Sequence, residues 1–175
     1  STIQIGDQLW MAENLKVTHY RDGTPIPTGY SNSEWGDLET GAYAVYDDDE
    51  SNADTYGYLY NWYAVDTGIL APEGWHVPAD EEWMELEMAL GMNESEVQVW
   101  GYRGTNEGSQ LAGNADLWTD GDLENNEAFG TSGFDALPGG YRCCVTGDYR
   151  SMGGKGSFWS STEYGSNSAW DRELF

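Results

Sequence analysis

Nine tryptophans and twelve tyrosines sit in a chain of 175 residues whose 31 acidic and 7 basic side chains leave a formal net charge of −24. Large aromatic side chains bury on the order of 150–250 Å² each when they pack, and disordered chains are poor in them. The chain must therefore fold around its aromatics, although its mean hydropathy is only −0.64. Its length suits one domain, residues 1–175, with a full core. The acid excess then has three uses: a solvated surface for extracellular or salty conditions, oxygen ligands for calcium, or a face for a cationic partner. Phosphate backbones and anionic lipids would be repelled, so nucleic acid and membrane surfaces are poor partners. No run of about 18 apolar residues exists, which argues against membrane insertion.

The chain alternates apolar and polar residues through Thr2-Ile3-Gln4-Ile5 and Gln8-Leu9-Trp10-Met11. With Gly6-Asp7 between them, these read as a β-hairpin. Tyr20 to Thr40 carries Gly and Pro throughout and reads as loop. Ala42 to Tyr46 is a short strand candidate, and Asp47 to Asp54 an acidic loop. The run Tyr58-Leu-Tyr-Asn-Trp-Tyr-Ala-Val65 is apolar by either period, so strand and buried helix both stay open. Pro78 to Gly91 is the clearest helix. Asp80, Glu81 and Glu82 suit a first turn, Trp83, Leu86 and Leu90 form one apolar stripe, and Gly91 is a C-terminal stop. Gly101 to Gly156 is rich in Gly, Asn and Asp, with short apolar islands. Ser1 opens directly onto a strand-like segment with no signal peptide before it, as in a mature or excised piece of a longer protein. The pattern as a whole reads as α+β.

Five segments in order then resemble a known family. They are Ile5-Gly-Asp-Gln-Leu-Trp-Met-Ala-Glu-Asn-Leu15, Tyr56-Gly-Tyr-Leu-Tyr-Asn-Trp-Tyr-Ala-Val65, Pro72-Glu-Gly-Trp-His-Val-Pro78 with Glu82-Trp83, Gly133-Phe-Asp-Ala-Leu-Pro-Gly-Gly-Tyr-Arg142, and Phe158-Trp-Ser-Ser-Thr-Glu163. Together they resemble the Fibrobacter succinogenes major paralogous domain of bacterial surface and secreted proteins. That family looks related to the formylglycine-generating-enzyme branch of the C-type-lectin-like fold. The resemblance implies two helices, Leu59 to Ala64 and Asp80 to Leu90, with twisted short antiparallel strands and long loops, in a secreted or cell-surface protein. Two departures stand out. The family usually places Thr or Ser where Ala79 stands, so Asp80 is the expected substitute cap. Relatives also continue past the position of Phe175 into a closing strand, so either the chain is a truncated product or a partner strand completes an edge.

Catalysis finds little support in the sequence. The related enzymes act through cysteines and copper, whereas Cys143 and Cys144 are adjacent and follow Gly-Gly-Tyr-Arg. They read as a vicinal disulfide or as alternating strand thiols. Iron sites elsewhere in that branch use three histidines, and this chain has only His19 and His76. Calcium has two candidate sites: Asp47, Asp49, Asn52 and Asp54, and then Asp120, Asp122 and Glu124. Hard cations take carboxylate and carbonyl oxygens from flexible loops, yet neither segment follows the EF-hand pattern, and no Glu-Pro-Asn sugar triplet occurs.

The late segment resembles the ligand face of the fold. It carries Tyr149, Arg150, Tyr164, Asn167, Trp170 and Arg172, the residue types that dominate binding hot spots. The expected function is a non-catalytic module that recognises a glycan or protein through this C-terminal face, with calcium as a stabiliser. A scaffolding domain without a ligand is the alternative. A diversified display protein, varying at Tyr149, Tyr164, Asn167, Trp170 and Asp171, is a special case of the first.

Overall fold

The computed structural model describes residues 1–175. The architecture is α+β: eight strands in three small sheets and five short helices. Strands β1 (Thr2–Ile5) and β2 (Gln8–Met11) form the expected antiparallel hairpin, with Ile3 opposite Trp10. Gly6 turns the chain at φ 57°, a conformation open to glycine at little cost. The hairpin then lays Ile3, Ile5 and Trp10 on a core of Trp83, Leu86, Leu111 and Phe134.

Two stretches read as loops contain helices. Helix α1 (Asn32–Gly36) starts from Ser31, which forms a capping box with Glu34. That pair is the signal the Gly/Pro content of the segment obscures. The acidic stretch folds into a 3-10 turn at Tyr46–Asp48 and then α2 (Ser51–Tyr56). Asp49 starts α2 by accepting from the N–H and hydroxyl of Ser51. Between these helices and the next lies a two-strand ladder, β3 (Tyr43–Ala44) with β4 (Leu59–Tyr60). The helix expected over Leu59 to Ala64 is therefore displaced: β4 takes its first residues and α3 spans Trp62–Asp66. Asn61 sets the boundary, because its side-chain oxygen accepts the Ala64 N–H at 3.0 Å and the Ala42 N–H at 3.0 Å.

Helix α4 (Asp80–Leu90) lies where its apolar stripe predicts, with Trp83 and Leu86 buried. The cap differs from expectation. Ala79 offers no side-chain oxygen and Asp80 is already helical. Thr162 from a distant strand instead accepts the Asp80 N–H at 2.9 Å, while the Glu82 carboxylate accepts the Ala79 N–H at 2.8 Å. After α4 comes α5 (Glu107–Leu111), so five helices replace the two expected.

The main sheet runs in the order β6-β5-β7-β8, comprising β5 (Gly139–Arg142), β6 (Tyr149–Met152), β7 (Gly156–Gly165) and β8 (Ser168–Leu174). β5 runs antiparallel to β6 and parallel to β7, and β7 and β8 make a long hairpin. Gly140, at φ 64°, is the close approach between strands: a Cβ there would sit 2.7 Å from the Met152 nitrogen. One face of the β7–β8 ladder turns Phe158 and Leu174 toward the α4 core, while Trp159 and Ala169 pack with Trp62, Val65 and Leu70. The sheet is thus clad by aromatics on both faces.

Candidate ligand face and groove

The six C-terminal residues do not form one face. β6 and β8 lie on opposite edges of the sheet, which separates Tyr149 and Arg150 from the others. Tyr149 is held in place: its hydroxyl donates to Asp48 at 2.5 Å, and its ring lies between Tyr46 (5.3 Å) and the Arg142 guanidinium (4.6 Å). Burial, reinforced by the hydrogen bond to Asp48, raises its phenol well above the ordinary value. Arg142 itself is buried between Trp35 and Tyr149 and donates to the carbonyls of Gly147 and Tyr30. Arg150 is exposed and paired with Asp148 at 2.6 Å.

Tyr164, Asn167 and Trp170 do come together, at the tip of the β7–β8 hairpin. Tyr164 is 65% exposed and meets Trp170 edge-on at 4.8 Å, with Asn167 in the connecting turn. Arg172 is two residues on but faces inward. It is 9% exposed, with Nε on Glu87 at 2.7 Å and Nη1 against Asp80 at 2.6 Å. Arg103 closes the cluster on Glu87 at 2.8 Å. Strand alternation explains the correction: Arg172 shares its face with Leu174, toward α4, and its charge is neutralised inside the molecule.

Neither acidic segment gathers its carboxylates around a point, and no three His, Cys, Asp or Glu side chains converge as a metal site would require. Asp49 is held by Ser51, and the Asn52 amide donates to the Tyr46 carbonyl. Asp47, in the 3-10 turn, and Asp54, within α2, are exposed. Asp120 accepts from Asn125, and Glu124 accepts from Asn125 and the Gly121 N–H, while Asp122 stays exposed.

His76 is exposed and paired with Glu82 at 2.8 Å, and His19 contacts Thr18 at 3.0 Å. Cys143 and Cys144 are both free thiols just beyond β5. Hydrogen bonds from Thr146, with a smaller contribution from Arg150, lower the Cys143 thiol below its ordinary value.

The feature no sequence motif announced is a groove of about 1030 Å³ running between the two aromatic clusters. Trp10, Trp62, Tyr63, Trp75, Trp83 and Trp159 contribute to its walls. Its charged lining is one-sided: Asp7, Glu13, Glu82, Asp135, Asp171 and Glu173 against Arg142 alone. Residues of this groove fall in all five motifs, yet each motif taken singly reads as core.

The structure is an α+β chain with an aromatic, acid-lined groove and an exposed aromatic hairpin tip. The pattern of the Fibrobacter succinogenes major domain matches residues 3–175, and the chain belongs to that family. No curated protein and no solved structure matches it.

Proposed function

We propose that this chain is a non-catalytic binding module of a secreted or cell-surface bacterial protein, recognising a glycan or protein through the tip of the β7–β8 hairpin. The observation that carries the reading is the Tyr164–Trp170 pair, an edge-on aromatic contact at 4.8 Å on an exposed tip with Asn167 beside it. Aromatic surfaces flanked by amide donors and acceptors suit both sugar C–H faces and protein hot spots. The acid-rich surface supports an extracellular setting. No helix is long and apolar enough to cross a membrane. The motif order and the α4 helix entered through Trp75-His76-Val77-Pro78 support a C-type-lectin-like arrangement allied to the formylglycine-generating enzymes. Calcium enters only as a stabiliser of the two acidic segments.

A broad glycan array, probed with the wild type and with Trp170→Ala in calcium and in EDTA, tests this. Wild-type binding lost in Trp170→Ala supports the hairpin tip, and loss in EDTA assigns calcium a part. Binding that survives Trp170→Ala and Tyr164→Ala sinks the tip as the ligand face. Absence of glycan binding by the wild type moves the weight to a protein ligand.

A further inference from the structure

On the groove side of the β7–β8 ladder, Ser157 opposes Glu173 and Trp159 opposes Asp171, so these four side chains form a square. Glu173 is paired with Lys155 at 2.8 Å. Asp171 accepts no hydrogen bond from another side chain, and the Ser157 hydroxyl is buried with no protein partner. Asp171 lines the groove and is exposed; partial desolvation of its carboxyl foremost, and then the nearby Glu173, hold it above the usual range.

We infer that this groove binds a basic peptide segment, seating an arginine side chain against Asp171, Ser157 and Trp159. The charge of the groove selects the sign of the partner. Of the six carboxylates that line it, Glu13, Glu82 and Glu173 are paired with the N-terminus, His76 and Lys155, which leaves Asp7, Asp135 and Asp171 without a cation, while its single guanidinium, Arg142, is already committed to backbone carbonyls. A planar guanidinium presents several donors in one plane and stacks on aromatic faces, which a compact ammonium does less well. Asp171 supplies the carboxylate, Ser157 the free acceptor and Trp159 the wall. The chain seats its own cations in the same way nearby: Arg142 lies between Trp35 and Tyr149, and Lys155 lies 4.7 Å over Phe175 while pairing with Glu173. Its volume, about 1030 Å³, lies at the upper end of small-molecule pockets, about 300–1,000 Å³, and leaves room for a peptide segment.

This site is on the sheet rather than at the hairpin tip, so it stands or falls apart from the tip. The probe is a fluorescein-labelled decapeptide alternating arginine and serine, followed by anisotropy in about 0.15 M salt, where the Debye length is about 8 Å. Asp171→Asn is expected to weaken binding about tenfold or more, and Ser157→Ala about threefold. Glu94→Gln, an exposed acid outside the groove, is expected to leave it unchanged. A citrulline version of the peptide is expected not to bind. Equal losses in Asp171→Asn and Glu94→Gln would reduce the effect to general acidity and overturn the inference. So would undiminished binding of the citrulline peptide, or free arginine competing as well as the peptide does. Circular dichroism of each variant separates lost binding from lost fold.

Discussion

Replacing Glu87 with alanine is the sharpest test of how β8 is held to the body of the protein. The Glu87 carboxylate is 5% exposed and takes Arg103 at 2.8, 3.1 and 3.3 Å and Arg172 at 2.7 Å. Without it, Arg103 keeps only the Val99 carbonyl, and Arg172 keeps Asp80 and the Asp171 carbonyl. Removing one partner from a buried ion pair typically costs about 3–5 kcal/mol. At about 2–4 °C per kcal/mol for a chain of this size, a loss of about 4 kcal/mol predicts a melting temperature lower by roughly 8–16 °C. Glu87→Gln keeps one acceptor and is expected to lose about half as much. Urea denaturation followed by tryptophan fluorescence gives both values. A Glu87→Ala loss below about 1 kcal/mol would refute the reasoning, since it would mean that water solvates the cluster as well as the carboxylate does.

Other outcomes follow from single contacts. Thr162→Val removes the oxygen that accepts the Asp80 N–H and should destabilise by about 1 kcal/mol, whereas Ala79→Ser should restore a cap of its own and stabilise by a similar amount; urea midpoints read both. Gly140→Ala forces a side chain into φ 64° against β6 and should cost more than about 2 kcal/mol, visible as loss of the folded baseline on mild heating. Asp171 has a raised carboxyl in the folded state, so its ionised form disfavours folding, and the native chain loses stability as pH rises through that raised value. Asp171→Asn should therefore melt higher than wild type at neutral pH, with the gain vanishing below the ordinary carboxylate range; thermal scans across pH check it.

The parts legible in the sequence were those written in local periodicity. Trp83, Leu86 and Leu90 announce α4, and the alternation around Gly6 announces the first hairpin, because each pattern records which side faces the core. The family motifs gave the order of segments but shifted the first helix, since Asn61 works as a cap and no periodicity marks it. The Thr162 cap and the inward turn of Arg172 join residues far apart in the chain, and the pairing of Trp159 with Asp171 depends on how one hairpin aligns. They depend on strand register, and a single sequence does not encode register in any local run. For the same reason the candidate residues scattered: Tyr149 and Trp170 both fall in the C-terminal segment yet belong to strands on opposite edges of one sheet.

Helix α4 borrows its first cap from β7 and its countercharges from β8, so the helix cannot reach its full stability until the last hairpin has docked. A chain emerging from its N-terminus would hold α4 as a frayed segment, with Glu87 and Asp80 still in water, until the final strands arrived. A nick between β7 and β8 is therefore expected to loosen α4, on the other side of the molecule, through the loss of the Thr162 cap and the Arg172 countercharge.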